Sequence, residues 1–250
     1  MRNILQKIIS SSFSLALVFF VACSPQLGHQ FTGGFIANDL EIMADPALTE
    51  MVSPYKAKME AEMSTIIGQS TKALTRNRGE SLLGNFVADL QRAYAEQEFG
   101  ISIDISIINN GGMRNDLPEG NITLGNIYEL SPFDNYLVIL ELTAHDVQKL
   151  AEFMAARKNM AVSGMEIIGE GNQVQSFKVN GQALDSNKVY LLAINDYLAN
   201  GGDNMDFLTD LPVMENTDLL LRDMLIQMIK AKTARGEKLD AQIEGRQKYN

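Results

Sequence analysis

Cysteine occurs once in these 250 residues and histidine only twice, at His29 and His145. A single cysteine excludes any disulfide within the chain, so stability has to come from packing. Two isolated histidines leave no cluster able to hold a pair of metal ions, which takes several Asp, His and Asn ligands around ions ~4 Å apart. Block-like runs of Lys and Arg are missing too, and the formal charge is −10. Such a chain is poorly suited to nucleic acid polymers, whose phosphates need clustered cations, although one or two arginines still suffice for a small phosphate ester. The longest apolar run, Ile8 to Val21, is broken by serines and is too short to span a bilayer comfortably. No internal repeat or low-complexity segment is present.

The amino terminus has its own logic. Residues 1–22 combine a short basic start, Arg2 and Lys7, with that apolar run and no acidic residue, which is the layout of a secretory signal. The run ends Phe20-Val21-Ala22-Cys23-Ser24. This resembles a bacterial lipoprotein box, in which Cys23 would be lipidated and become the mature terminus; Phe20 departs from the aliphatic residue usual there. The plain alternative is a lone buried thiol within an ordinary signal. Removing residues 1–22 leaves 228 residues and, with Arg2 and Lys7 gone, moves the charge from −10 to −12. The resemblance implies an exported protein, lipid-anchored to a bacterial membrane and facing the periplasm or cell surface. Residues 23–44, polar and glycine-rich, read as a tether with His29 solvated inside it. Residues 45–250 read as one domain: with 46% hydrophobic residues, a single sizeable core is feasible.

Helical spacing is clearest at Leu82, Phe86, Leu90 and Tyr94, which predicts a helix over about Ser81–Gln97. It recurs at Val147, Leu150, Ala151 and Met154, where Thr143 can cap the helix and Asp146 sits near its positive end. A third helix, carrying Leu221, Met224, Leu225 and Met228, follows Asn216-Thr217, and the pattern from Asp45 to Met63 is also helical. The methionines are read as core filler. Ile101, Ile103, Ile105 and Ile107 alternate with Ser102, Asp104 and Ser106, the period of a strand with one buried face. Leu137–Leu140 and Val189–Ile194 are continuous apolar runs, as expected of central strands covered on both faces. Ile66–Leu74 is a further candidate strand, and Gln173–Val179 before Asn180-Gly181 reads as one arm of a hairpin. Strands and helices mix along the whole length, so the fold class is α/β, with helices packed on a mixed β-sheet.

Three polar segments carry the chemistry. Asn109-Asn110-Gly111-Gly112-Met113-Arg114 follows the isoleucine strand; paired glycines let a ligand approach the main chain, and Arg114 offers a planar fork of donors for a phosphate or carboxylate. Alone, it is equally a plain turn with a surface arginine. Ser131-Pro132-Phe133-Asp134-Asn135 places a phenylalanine just before a buried strand, either as a core plug or as a stacking platform. Asn195-Asp196-Tyr197-Leu198-Ala199-Asn200-Gly201-Gly202-Asp203 adds a second ring and a carboxylate able to accept hydrogen bonds from vicinal hydroxyls. Together they suit a flat, hydroxylated, anionic ligand such as a nucleotide. His145 stands at the start of an amphipathic helix and reads as solvent-facing; no nucleophile elbow accompanies it.

The order of Glu80…Gly84-Asn85, Asn-x-Gly-Gly-x-Arg, Pro-Phe-x-Asn, Ser163-Gly164-Met165 and Asn-Asp-Tyr-x-Ala-x-Gly-Gly-Asp closely resembles the carboxy-terminal domain of the 5′-nucleotidase family, over roughly residues 60–230. The resemblance implies a nucleotide-binding domain whose catalytic partner is a separate amino-terminal metallophosphatase domain. By position it implies that Phe133 and Tyr197 sandwich the base, Asn109 contacts the base edge, Arg114 holds the phosphate side and Asp203 binds the ribose hydroxyls. Gly164 lies in a motif of the binding domain, and Arg78 (or Arg76) takes the place of an arginine that precedes Glu80. Tyr197 stands where the family more often has Phe. The family's metal motifs, Asp-x-His, Gly-Asp-x-x-Asp, Gly-Asn-His and Gly-His-x-His, lack their histidine members here. Gly202-Asp203-Asn204-Met205-Asp206 matches one of them by letter only, with no Asp-x-His before it.

The expectation is therefore a lipid-anchored chain that binds a nucleoside or nucleoside monophosphate. It has no cofactor of its own and works with a separately encoded metallophosphatase that supplies the divalent metal ions. A surface lipoprotein that captures nucleosides without hydrolysis, and an inert scaffold that has lost its ligand, are the alternatives.

Overall fold

Three of the apolar runs fold into neighbouring strands of one mixed five-stranded sheet, in the order β5-β2-β8-β4-β9. These strands are β2 (Ile105–Asn109), β4 (Tyr136–Leu142), β5 (Met160–Ser163), β8 (Tyr190–Asn195) and β9 (Val213–Leu220). The β2–β8 pair is parallel and the other pairs are antiparallel. A second sheet joins β10 (Gln247–Tyr249), β6 (Met165–Glu170) and β7 (Gln173–Val179), and a short ribbon pairs β1 (Ile66–Ser70) with β3 (Gly120–Thr123). The computed structural model describes residues 43–249. Within it, the chain from Glu50 onward forms one compact unit and the residues up to Thr49 belong to another. The expectations for the signal, for lipidation of Cys23, for His29 and for nearly all of the tether lie outside the described residues.

Two apolar layers flank the five-stranded sheet. On one face lie α2 (Leu82–Phe99), α3 (Leu124–Leu130) and α6 (Leu221–Ala234), with Leu83, Phe86, Leu90, Ile127, Met224 and Ile229 against Ile108, Leu137, Ile139 and Ala193. On the other lies α4 (Ala144–Arg157), whose Val147, Leu150, Ala151 and Met154 meet Ile105, Ile107, Leu140, Leu192 and Ile194. Helices on a mixed sheet are the predicted class. The expected cap holds at atomic level, with Thr143 and Asp146 forming a reciprocal capping box, and α2 is capped as well by the Ser81 hydroxyl, which accepts from Gly84 N at 3.1 Å. Helix α1 (Pro46–Met63) forms as the pattern predicts, and none of its side chains is buried. Among the described residues no helix is long and apolar enough to cross a membrane.

The structure corrects three local readings. The isoleucine strand begins only at Ile105, and it is buried on both faces rather than one. The alternation is real, but α2 roofs the polar side: Gln91 Nε2 donates to Ser106 Oγ at 2.9 Å and to the Ile107 and Ala193 carbonyls at 3.0 Å, satisfying polar groups that would otherwise be costly to bury. Asn216-Thr217 does not precede the last helix directly. It lies inside β9, where Thr217 Oγ1 donates to Leu137 O at 2.8 Å, and α6 starts at Leu221. Strand β7 is one arm of a hairpin as expected, but the other arm is β6, which precedes it, and Asn180-Gly181 closes only a single bridge between Val179 and Gln182.

Candidate functional site

Because β2 and β8 are parallel, with Ser106 opposite Ala193, they end on the same side at Asn109 and Asn195. Strand β4 runs against β8 with Leu137 opposite Asn195, which brings its entry loop, residues 131–135, to that edge as well. The crevice beyond the carboxyl ends of parallel strands is where open α/β sheets take ligands. Here it is a cleft of about 340 Å³. Five of the expected residues line it, Asn109, Arg114, Phe133, Tyr197 and Asp203, together with Gly111, Gly112 and Asn135.

Both aromatic rings remain open to solvent at the cleft, Phe133 at 44% and Tyr197 at 47% exposure. Phe133 is therefore no core plug. The loop that carries it is tied down by Arg222 of α6, which donates to Asp134 Oδ1 at 2.7 Å and to Ser131 O at 3.2 Å while its guanidinium lies 4.7 Å from the Tyr128 ring. Arg114 stands with its guanidinium 5.5 Å from the centre of the Phe133 ring and donates to Gly111 O at 3.4 Å. A ring face and a carbonyl leave most of its five donors free for an anion.

The opposite wall is a locked polar network. Asn109 is buried; its Nδ2 donates to Asp203 Oδ2 at 2.7 Å, and its Oδ1 accepts from Asn195 Nδ2 at 3.5 Å. Asn195 in turn caps the short helix α5 (Asp196–Ala199) by accepting from Leu198 N at 2.8 Å. The Tyr197 hydroxyl donates to Asp203 Oδ1 at 3.0 Å and accepts from Asp203 N at 3.2 Å. Glycine is needed at two points for close approach: a Cβ at Gly112 would stand 2.7 Å from Asn109 Oδ1, and one at Gly202 would stand 2.5 Å from the Tyr197 ring. Asn109 thus orients the carboxylate of Asp203. The free amide at the cleft is that of Asn135, whose side chain hydrogen-bonds no other described residue.

Two expected residues fall elsewhere. Gly164 (φ 80°) lines a different hollow, beside Asp89, Arg92 and Arg246, and its need for glycine is steric: a Cβ there would lie 2.0 Å from Asp104 O. Arg78 donates to Arg157 O at 3.4 Å and does not line the cleft. Nor does Arg76, which hydrogen-bonds Met113 O and lies 3.9 Å from Asp116, bracing the glycine loop from behind. Asn135 and Arg222 were missed as functional residues. Asn135 was legible within its motif, whereas nothing in the sequence ties Arg222 to a loop 88 positions away. Among the described residues no three His, Cys, Asp or Glu side chains gather where a metal ion could be held.

Comparison with known proteins converges on one family. Residues 63–210 match the family described as 5′-nucleotidase, C-terminal domain. Protein UshA of Yersinia enterocolitica is 25% identical over 202 residues, covering 76% of this chain and 35% of the relative. Cell wall protein Lmo0130 of Listeria monocytogenes is 26% identical over 253 residues, covering 87% of this chain and 32% of the relative. Among solved structures, the 5′-nucleotidase precursor from Thermus thermophilus superposes with a TM-score of 0.69 at 25% identity, over 80% of this chain and 42% of that one. The chain therefore spans about a third of the length of these curated relatives.

Proposed function

Since this chain belongs to the 5′-nucleotidase C-terminal domain family, we propose that it is the nucleotide-binding half of a split 5′-nucleotidase, acting with a separate metallophosphatase polypeptide. The observation that supports this most is the pair of solvent-open rings, Phe133 and Tyr197, sharing one cleft with Asp203 and Arg114. A purine between the rings gains about 1 kcal/mol from each face beyond its buried area. Asp203, already oriented by Asn109 and Tyr197, keeps lone pairs for the vicinal ribose hydroxyls. Arg114 faces the phosphate side, and Asn135 offers both a donor and an acceptor to the base edge. Divalent metal ions in the partner would supply the hydroxide that attacks phosphorus. Binding the nucleoside remotely then serves the reaction by holding the phosphate in register with that nucleophile.

Export supports the same reading. A relative is a cell wall protein, and the Phe20-Val21-Ala22-Cys23 stretch fits lipid anchoring. The test is phosphate release from nucleoside monophosphates with divalent metal. The mature chain alone should release none, and adding a metallophosphatase chain that lacks a carboxy-terminal half should raise that chain's rate. Turnover by the isolated chain, or a partner rate unchanged by its presence, would overturn the proposal.

A further inference from the structure

We propose that Arg157 is a positioning residue for the cleft, acting through Asn204 to hold Asp203 in place; this rests on Asp203 contacting the ligand. Asp203 (φ 54°) and Asn204 (φ 68°) are consecutive non-glycine residues in the left-handed region, closely following Gly201 (φ 89°). Side chains of L-residues disfavour that region, and Asp and Asn tolerate it best. Asp203 is compensated by its hydrogen bonds with Asn109 and Tyr197. Asn204 has one side-chain partner among the described residues: Arg157 Nη2 donates to its Oδ1 at 2.8 Å.

Arg157 is the last residue of α4. Its guanidinium lies 5.7 Å from the Phe153 ring, and Phe153 packs against Phe207 with ring centres 5.7 Å apart. The end of α4 thus grips the turn at and beyond its strained pair, at 204 through Arg157 and at 207 through Phe153. Neither Arg157 nor Asn204 lines the cleft, so a change at either reports on placement of Asp203 rather than on a lost ligand contact.

The experiment uses the mature chain and adenosine as the probe, with affinity from calorimetric titration and order of the turn from hydrogen exchange at the Asp203 and Met205 amides. Arg157→Ala should weaken adenosine binding about fivefold and speed exchange at both amides. Adding Asn204→Gly to that variant, which adopts the left-handed conformation without strain, should restore affinity to within about twofold of wild type. Arg157→Gln, which keeps part of the stem over Phe153, should fall between wild type and alanine. Wild-type affinity and exchange in Arg157→Ala would overturn the proposal, as would a double variant no better than the single one. So would a melting temperature lowered throughout with no local change in exchange. If the wild-type chain binds no adenosine, the nucleotide reading fails, and the exchange data still decide whether Arg157 holds the turn.

Discussion

The cleft at the ends of β2 and β8 and the hollow around Gly164 are nearly equal in size, about 340 and 350 Å³, yet their chemistry is opposite. Around Gly164 the charges satisfy one another. Arg246 makes two parallel bonds to Asp89, at 2.7 and 2.8 Å, and also donates to Glu244 at 2.9 Å and to Val162 O at 3.0 Å. Arg92 donates to Ile103 O at 2.8 Å and Asn180 Oδ1 at 2.9 Å and lies 3.4 Å from Glu96. Burial alone would lower the pKa of Arg246, but its bonds to Asp89 and then Glu244 hold it above the ordinary arginine value. In the cleft, by contrast, Arg114 rests on a ring and a carbonyl, and two aromatic faces stay wet. A hollow of charged residues marks a binding site only when it keeps donors and apolar area that the protein itself does not use.

The largest test of that contrast is Gly164→Ala. A left-handed residue whose Cβ meets Asp104 O at 2.0 Å must shift backbone, so we expect a loss of about 3 kcal/mol in urea unfolding. Adenosine affinity of the folded fraction should be unchanged. Weakened binding with intact stability would break the comparison and return Gly164 to the ligand site. Arg246→Ala comes next. It leaves Asp89 without its bidentate partner, but that carboxylate is half exposed, which puts the expected cost at about 2 kcal/mol, below the value for a fully buried pair. Adenosine binding is again the control that should not move.

The same change made in the cleft should give the mirror result. Phe133→Ala removes one stacking face and should weaken adenosine binding by about 1–2 kcal/mol, on the order of tenfold, with unfolding midpoint close to wild type because the ring is already 44% exposed. A loss of stability without a loss of affinity would show that Phe133 is a structural residue after all.

How much of this was legible depended on whether local chemistry or distant cover decided the outcome. Helix α4 was readable because its cap, Thr143 with Asp146, and its apolar spacing lie within one stretch of chain. Strands β4 and β8 were readable because burial on both faces forces continuous apolar residues. The 101–107 segment misled because its period is the same whether one face is wet or roofed by Gln91 of α2. Short elements such as β3, β5 and β10 depend on partners far along the chain: β10, for example, pairs with β6. At the cleft, the three polar segments beside buried strands, read in the family's order, point to five of the eight lining residues. Gly164 entered only through the family motif Ser163-Gly164-Met165, and its glycine answers to the Asp104 carbonyl. Orientation was invisible as well: no spacing argument turns the amide of Asn109 toward Asp203 and leaves Asn135 free.

The finest cut separates stacking from polar placement within a single side chain. Tyr197→Phe keeps the ring at the cleft but removes the hydroxyl that bonds Asp203 at both its carboxylate and its amide. Asn109 still holds the other carboxylate oxygen at 2.7 Å, so the carboxylate should stay near its place. The family resemblance, which more often puts Phe here, points the same way. We expect adenosine affinity to fall by less than about 1 kcal/mol, a few-fold at most, while exchange at the Asp203 amide rises. A drop as large as that of Phe133→Ala would mean that the Tyr197 hydroxyl, by setting the carboxylate, matters to the cleft as much as a stacking face does.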